Sequence, residues 1–315
     1  MGSRNIKIAT RSSPLALWQA NAVKQQLEAK GNVCELVLIE STGDMQLAQP
    51  IYQMGITGVF TKQLDIALIN KQADIAVHSL KDVPTQLAEN TFLAAVLQRG
   101  AHEDVVVVKN KAVLDAYDTT TIIATSSLRR RAQWLARYKK HMPVPIRGNV
   151  QTRLRKFAEE NIDAVIFAKA GLERLDLLTD NCITLDWMLP APAQGIIGIV
   201  CRDDDNGMKE ICAAINHRES FIAGHIEREF LRNLHGGCSV PISALAQVHE
   251  TGVEFKGAIH SYDGSRCAQI SFSVPASDWE RAGEKAANMI LQQPQAQDLI
   301  EEIRNTTWND KSAVD

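Results

Sequence analysis

The chain has 315 residues, 34 Lys and Arg against 37 Asp and Glu, a formal charge of −3, and 45% hydrophobic residues with only 5% aromatic. That composition and length point to two or three globular domains able to fold without disulfides or metals, and exclude long disordered, collagen-like and coiled-coil readings. The longest apolar runs, residues 164–168 and 196–201, fall far short of the roughly 18 to 20 residues of a membrane span. The near-neutral total argues against a surface that coats nucleic acid, while leaving local patches open.

Residues 6–10 read as a buried strand, and Ser12-Ser13-Pro14 supplies hydroxyl caps and a first-turn proline for a helix over 14–30, with Leu15, Trp18 and Ala22 on its inner face. Residues 33–40 are a second strand, 58–71 a second helix and 74–78 a third strand, an alternation that predicts an α/β lobe with a largely parallel sheet. The pattern then recurs. Residues 121–127 followed by a helix containing Gln133 echo residues 6–13 followed by the helix containing Gln19. Likewise Gly148, Thr152, Arg153 and Leu154 before an apolar strand echo Gly58, Thr61, Lys62 and Leu64. Two related lobes facing each other would place both Ser-Ser turns at one cleft, beyond the carboxyl ends of the strands. The alternative is that two α/β units merely share capping residues. From His235 onward the texture changes: 240–249, 253–261 and 267–274 alternate like antiparallel strands, with Tyr262-Asp263-Gly264 as a hairpin turn and a helical tail over 276–303.

Charge is unevenly distributed along the chain. Residues 119–158 hold ten basic side chains and no Asp or Glu, leaving 24 basic against 37 acidic residues, −13, elsewhere. Arg129 and Arg130 follow the Ser126-Ser127 cap, where free N–H groups and the helix dipole already favour an anion, and Arg147 and Arg153 flank the next helix start. Arginine forks bind carboxylate or phosphate in bidentate fashion, so the cluster suits a ligand with several negative groups. A solvated helix face accounts for Arg137, Lys139, Lys140 and Lys156. Trp134 and Tyr138 alone make a thin stacking platform, so no nucleic-acid partner is expected.

In His78-Ser79-Leu80-Lys81-Asp82-Val83-Pro84, Asp82 is a lone carboxylate among cations, able to exchange a proton or stabilise a transient cation; the same residues also make an ordinary turn. His235-Gly236-Gly237-Cys238 places a thiol on a glycine loop between domains, where it is more reactive than a core thiol, although His235 has no evident orienting partner. The other cysteines, Cys34, Cys182, Cys201, Cys212 and Cys267, read as small buried hydrophobes, and no spacing suits a metal site. No apolar signal stretch opens the chain, so a cytoplasmic protein is expected.

The chain resembles the porphobilinogen deaminase family. The resemblance is carried by residues 9–19 (ATRSSPLALWQ), 78–84 (HSLKDVP), 125–130 (TSSLRR), 147–150 (RGNV), 192–195 (PAQG) and 236–238 (GGC), in family order over essentially the whole length. It implies an α/β fold of two periplasmic-binding-protein-like lobes plus a small α+β C-terminal domain with a three-stranded antiparallel sheet. The expected domains are 1–97 with 198–215, then 103–191, then 220–315. It further implies a monomeric transferase that condenses four porphobilinogen molecules with loss of ammonia and releases hydroxymethylbilane. A dipyrromethane cofactor would be held by a thioether to Cys238, with Lys81, Asp82, Ser127, Arg129, Arg130, Arg147 and Gly148 around it. Asp82 would assist departure of the amine. Arg11, Ser13, Gln19, Phe60, Arg147, Arg153, Arg174 and Gln194 would meet the substrate. The loop from Gln53 to Phe60 departs from the family in lacking lysines, which reduces its cationic contribution. The competing class is a non-enzymatic bilobal protein that binds a polycarboxylate or phosphate; only the enzyme needs Asp82 and the thiol loop.

Overall fold

The structure is a computed structural model and describes residues 5–40, 61–234 and 240–305. In chain order the described residues form β1 (Asn5–Thr10), α1 (Pro14–Ala29), β2 (Val33–Leu38), α2 (Lys62–Ile69), β3 (Ile75–Ser79), β4 (Thr91–Val96), β5 (Asp104–Val108), β6 (Ile122–Ala124), α3 (Leu128–Arg137), β7 (Met142–Val144), α4 (Val150–Glu159), β8 (Ala164–Ala168), α5 (Lys169–Glu173), β9 (Cys182–Leu185), β10 (Ile197–Arg202), α6 (Asn206–Ala213), α7 (Arg218–Asn233), β11 (Ile242–His249), β12 (Gly252–His260), β13 (Cys267–Pro275), α8 (Ala282–Leu291) and α9 (Pro294–Asn305).

Two five-stranded sheets, ordered β2-β1-β3-β10-β4 and β7-β6-β8-β5-β9, repeat one topology. In each, the first three strands are parallel and the fourth runs antiparallel to both neighbours. Four strands of each sheet therefore run the same way, as expected, and one runs against them. The reason is the connection: β5 and β10 each enter their sheet from a crossing between the lobes, and so run against the strands built by local strand–helix–strand units. Both sheets are covered on both faces. Ile8, Val77 and Ile199 meet Val23 and Leu27 of α1 and Met208 of α6, while Ala76 and Val200 meet Leu64 and Leu68 of α2. In the second lobe Val106, Ile123 and Ile166 pack on Trp134 and Tyr138, and Val105, Val165 and Phe167 on Ile146 and Leu172. Strands buried on both faces read as continuous apolar runs, which is why AVIFA in β8 shows no alternation.

The two crossings are paired by Gly100 N–H donating to the Gly195 carbonyl at 3.1 Å. Gly195 has φ +87, and a Cβ there would stand 2.7 Å from the Ala101 carbonyl oxygen, so only glycine lets the crossings approach this closely. The third unit is the antiparallel sheet β11-β12-β13, covered by Ile226 and Phe230 of α7, Ile290 of α8 and Leu299 of α9.

Helix α1 packs Ala22 against the core as expected, but its buried face is rotated away from Trp18. Gln19, Ala20, Val23 and Leu27 are buried, and Trp18 is 42% exposed. Gln19 tolerates burial because its Nε2 donates to Ser79 Oγ at 2.8 Å. Cys34, Cys201 and Cys212 are buried, whereas Cys182 and Cys267 are only partly so. Trp134 and Tyr138 are core residues at 0% and 2% exposure, which removes them as a stacking surface for bases. Among the described residues no helix is long and apolar enough to cross a membrane.

Candidate active site

The Asp82 turn leaves the carboxyl end of β3 as a short 3-10 segment, Leu80–Asp82. It is pinned by Leu80 N–H donating to the Ile196 carbonyl at 2.9 Å and by the Leu80 side chain, buried among Val83, Val96, Ala193 and Ile196. With Leu80 inward, Lys81 and Asp82 stand at the half-buried edge of the turn. Lys81 Nζ donates to Gln194 Oε1 at 3.2 Å. Burial, then the charge of Arg130, pushes the Lys81 ammonium down to about 8 against the pull of Asp82 and Asp104. His78, one strand position earlier on the same face as Leu80, is buried, and its Nε2 has no partner among the described residues. Burial and the charge of Arg11 push it down to about 4, so it is a neutral ring at neutral pH.

Ser127 and Ser13 occupy equivalent positions in the two lobes. Each hydroxyl caps its helix, accepting from Arg130 N–H and Ala16 N–H respectively, at 3.4 Å in both. The Ser127 cap brings Arg129 and Arg130 into the first turn of α3, and both guanidinium groups turn inward onto Asp104. Arg129 Nη1 lies 2.7 Å from Asp104 Oδ2, and Arg130 Nη2 and Nε lie 2.8 and 3.1 Å from Oδ1. Gln194 Nε2 donates to the same Oδ1 at 3.0 Å. Burial alone would raise the Asp104 carboxyl, but the charges of Arg129 and Arg130 outweigh it and hold the group well below the carboxylate range. Arg129 Nη1 also donates to the Leu189 carbonyl at 2.8 Å and Arg130 Nη1 to the Ile166 carbonyl at 3.0 Å.

Asp82 is therefore not the lone carboxylate the sequence suggests. Asp104 is fully buried among the same cations, but it is consumed by two guanidinium groups, so the cluster keeps a positive excess. Asp82 is the acid left at the half-buried edge.

Arg153, on α4, donates through Nε to the Gly148 carbonyl at 2.7 Å. Gly148 holds φ +111, a left-handed backbone in which a Cβ would meet Thr152 at 2.5 Å. Burial and the like charges of Arg130 and Arg147 bring Arg153 down to about 10, with Asp82 opposing. Lys81, Asp82, Arg129, Arg130, Arg147 and Arg153 thus share one electrostatic neighbourhood. Arg174 is placed differently: its Nη2 donates to the Gly195 carbonyl at 2.7 Å, its guanidinium lies 5.4 Å from the centre of the Trp18 ring, and the charge acting on it is Glu173.

Gln19 is 3% exposed and Gln194 0%, and in this structure each hydrogen-bonds groups that border the cluster. Gln194 spends Nε2 on the His102 carbonyl and on Asp104, and Oε1 on Lys81, joining the cationic groups of the two lobes. Phe60 and Cys238 lie outside the described residues.

Sequence reasoning also missed a buried lock behind the site. Glu227 of α7, 0% exposed, pairs with Arg99 at 2.6 Å and accepts from Ala193 N–H and Ala246 N–H at 2.5 and 2.7 Å. It holds Ala193 in its left-handed conformation, φ 62, next to Gln194.

A cluster of cations beside one half-buried carboxylate suits a ligand with several negative groups and a centre that becomes positive. The pattern described as "Porphobilinogen deaminase, dipyromethane cofactor binding domain" matches residues 6–210, and "Porphobilinogen deaminase, C-terminal domain" matches 221–292. The porphobilinogen deaminase of Geobacter metallireducens is 40% identical over 295 residues, 92% of each chain. The chloroplastic porphobilinogen deaminase of Pisum sativum is 42% identical, over 91% of this chain and 81% of its own. The probable porphobilinogen deaminase of Methanocaldococcus jannaschii is 44% identical, over 89% and 96%. Among solved structures, the methionine binding protein MetQ overlaps 69% of this chain and 92% of its own at 13% identity and a TM-score of 0.44. The VFT2 domain of Bordetella pertussis BvgS overlaps 67% and 86% at 14% and 0.42. Two family patterns that cover both lobes and the third unit, with relatives this similar over nearly full length, place the chain in the porphobilinogen deaminase family.

Proposed function

We propose that this chain is a transferase of tetrapyrrole synthesis that joins four porphobilinogen molecules head to tail, loses ammonia at each step and releases hydroxymethylbilane. The observation that carries this reading is the pairing of Asp82 with its surroundings: one half-buried carboxylate on a pinned turn, facing a cluster whose buried acid is already neutralised. A protein that only bound a polyanion would gain nothing from a carboxylate there. The reading includes a monomeric, cytoplasmic enzyme with domains at 1–97 with 198–215, 103–191 and 220–315, and a dipyrromethane cofactor on Cys238.

The residues present fit such a cofactor. A dipyrromethane made from two porphobilinogens carries four carboxylates, and the cluster offers almost only donors. Arg129 Nε is buried without a partner among the described residues, and one carboxylate is shared by two guanidinium groups. Lys81, Ser127, Arg129, Arg130, Arg147 and the Gly148 backbone would hold it, Ser127 donating the hydroxyl hydrogen that its capping role leaves over. When bound, the cofactor supplies a nucleophilic pyrrole carbon to which the first substrate is added. Arg11, Ser13, Arg153 and Arg174 would bind substrate carboxylates, and Phe60 would also meet the substrate. Asp82 would accept the pyrrole N–H and offset the positive charge that develops as the amine departs. Gln194 and Gln19 position Lys81 and the β3 end.

Intact mass tests the assignment. Protein from a host that makes porphobilinogen should carry two pyrrole units, absent from Cys238→Ser. An unmodified protein that nonetheless turns over substrate removes the thioether, and one that is both unmodified and inactive removes the enzyme.

Lys81 yields a pH prediction. Its folded value is lowered to about 8, so it is cationic below that pH and neutral above it. In the cofactor-free Cys238→Ser protein, affinity for a free dipyrromethane tetracarboxylate should fall as pH rises through about 8, and calorimetry should show this limb flattened in the Cys238→Ser, Lys81→Gln double variant. A double variant with an unchanged profile would take Lys81 out of the binding site.

A further inference from the structure

The Asp82 turn is held from outside its own lobe. Arg228, on α7 of the third unit, directs its guanidinium at a run of backbone carbonyls around Asp82. Nη1 donates to the Val83 carbonyl at 2.7 Å and the Leu80 carbonyl at 3.3 Å. Nη2 donates to the Pro84 carbonyl at 2.7 Å, with the Thr85 carbonyl at 3.5 Å. These acceptors bracket Asp82 on both sides, and a planar fork matches them in a way an ammonium cannot. The segment needs such a partner: Pro84 has no N–H, Val83 before it is extended, and of these carbonyls only that of Leu80 also accepts a local N–H, from Val83 at 3.2 Å. The next residue back, Glu227, holds Arg99, Ala193 and Ala246. One turn of α7 therefore fixes both the Asp82 turn and the inter-lobe crossing that carries Gln194.

We infer that Arg228 is a positioning residue for Asp82, tying the turn of the first lobe to the third unit so that the carboxylate keeps its place. This rests on the reading of Asp82 given above. Helix α7 ends at Asn233, shortly before Cys238 in sequence, so the helix that leads to the proposed attachment point also sets the position of the carboxylate.

A double-mutant cycle on the holoenzyme decides it, with hydrogen exchange as a readout independent of turnover. Arg228→Gln should lower kcat by roughly 10- to 100-fold, the scale of a displaced reacting group, with KM changed less than about twofold. In an Asp82→Ala background the same change should lower kcat by less than about twofold, because no side-chain acceptor remains to be displaced. Amides of 80–85 should exchange at least about tenfold faster in Arg228→Gln while those of β8 do not change. Arg228→Lys, which keeps the charge but not the fork, should fall between the two and carries the same test if Arg228→Gln does not fold. Equal kcat losses in both backgrounds, or unchanged exchange at 80–85, would overturn the inference. If Asp82→Ala alone kept wild-type turnover, the reading of Asp82 would fail, while exchange at 80–85 would still decide whether Arg228 holds the turn.

Discussion

Asp82→Ala is expected to lower turnover by roughly 10²- to 10⁴-fold, the usual scale for a positioned acid–base or charge-stabilising group, while substrate still binds. Binding should survive because the carboxylates of the substrate are met by the cations of the second lobe, and Asp82 opposes rather than assists those contacts: it raises the Arg153 and Lys81 values, so it draws on the same positive charge. Removing it should leave KM unchanged or lower. A fall in kcat with KM constant or falling is the pattern of an interaction made only in the transition state. The turn itself should persist, since Leu80, not Asp82, is buried, and Arg228 grips the backbone. Asp82→Asn should retain part of the N–H acceptance without the charge and lie between Ala and wild type. Single-turnover kinetics on the cofactor-loaded enzyme measures this; near wild-type kcat in Asp82→Ala would remove the residue from the mechanism.

What the sequence disclosed and what it concealed follow one physical line. Local, contiguous signals were legible: the two Ser caps, the strand–helix repeat that predicted matching lobes, and the Lys81-Asp82 turn are each set by neighbours a few residues apart. Interactions between distant segments were not. Asp104 is 25 residues from Arg129 in the chain, and its position at the head of the apolar run DVVVV was the available signal, since a charge entering a buried strand needs a partner. Glu227 and Arg228 lie side by side on α7, and sequence does not reveal which charges on such a helix are paired. The inner face of α1 was misjudged by the width of one residue, because hydrophobic periodicity favours Trp18 and cannot register that Gln19 finds Ser79. Strands β5 and β10 were legible as apolar, but their direction depends on the inter-lobe crossings, which no local pattern encodes.

Asp104→Asn is expected to have the largest effect on stability, and with opposite signs for folding and for anion binding. The side chain is fully buried and neutralises part of the charge of Arg129 and Arg130, themselves 4% and 7% exposed. Removing one partner of a buried ion pair costs about 3 to 5 kcal/mol, because the remaining charges stay buried and repel. Denaturant unfolding should show that loss near neutral pH. The pH dependence follows from the direction of the shift. The folded carboxyl lies well below its ordinary value of 3.8, so its contribution is present above that pH and lost as pH falls below it. Wild type and Asp104→Asn should therefore converge in strong acid. The same substitution raises the positive excess of the cleft by one charge, so a polycarboxylate should bind the variant more tightly and raise its unfolding midpoint more than that of wild type, by linkage. A variant both less stable and more responsive to anions is hard to obtain by nonspecific damage to the core. If Asp104→Asn lost stability but gained no response to a polycarboxylate, the Arg129 and Arg130 pair would be a structural lock of the second lobe and not part of the binding cluster.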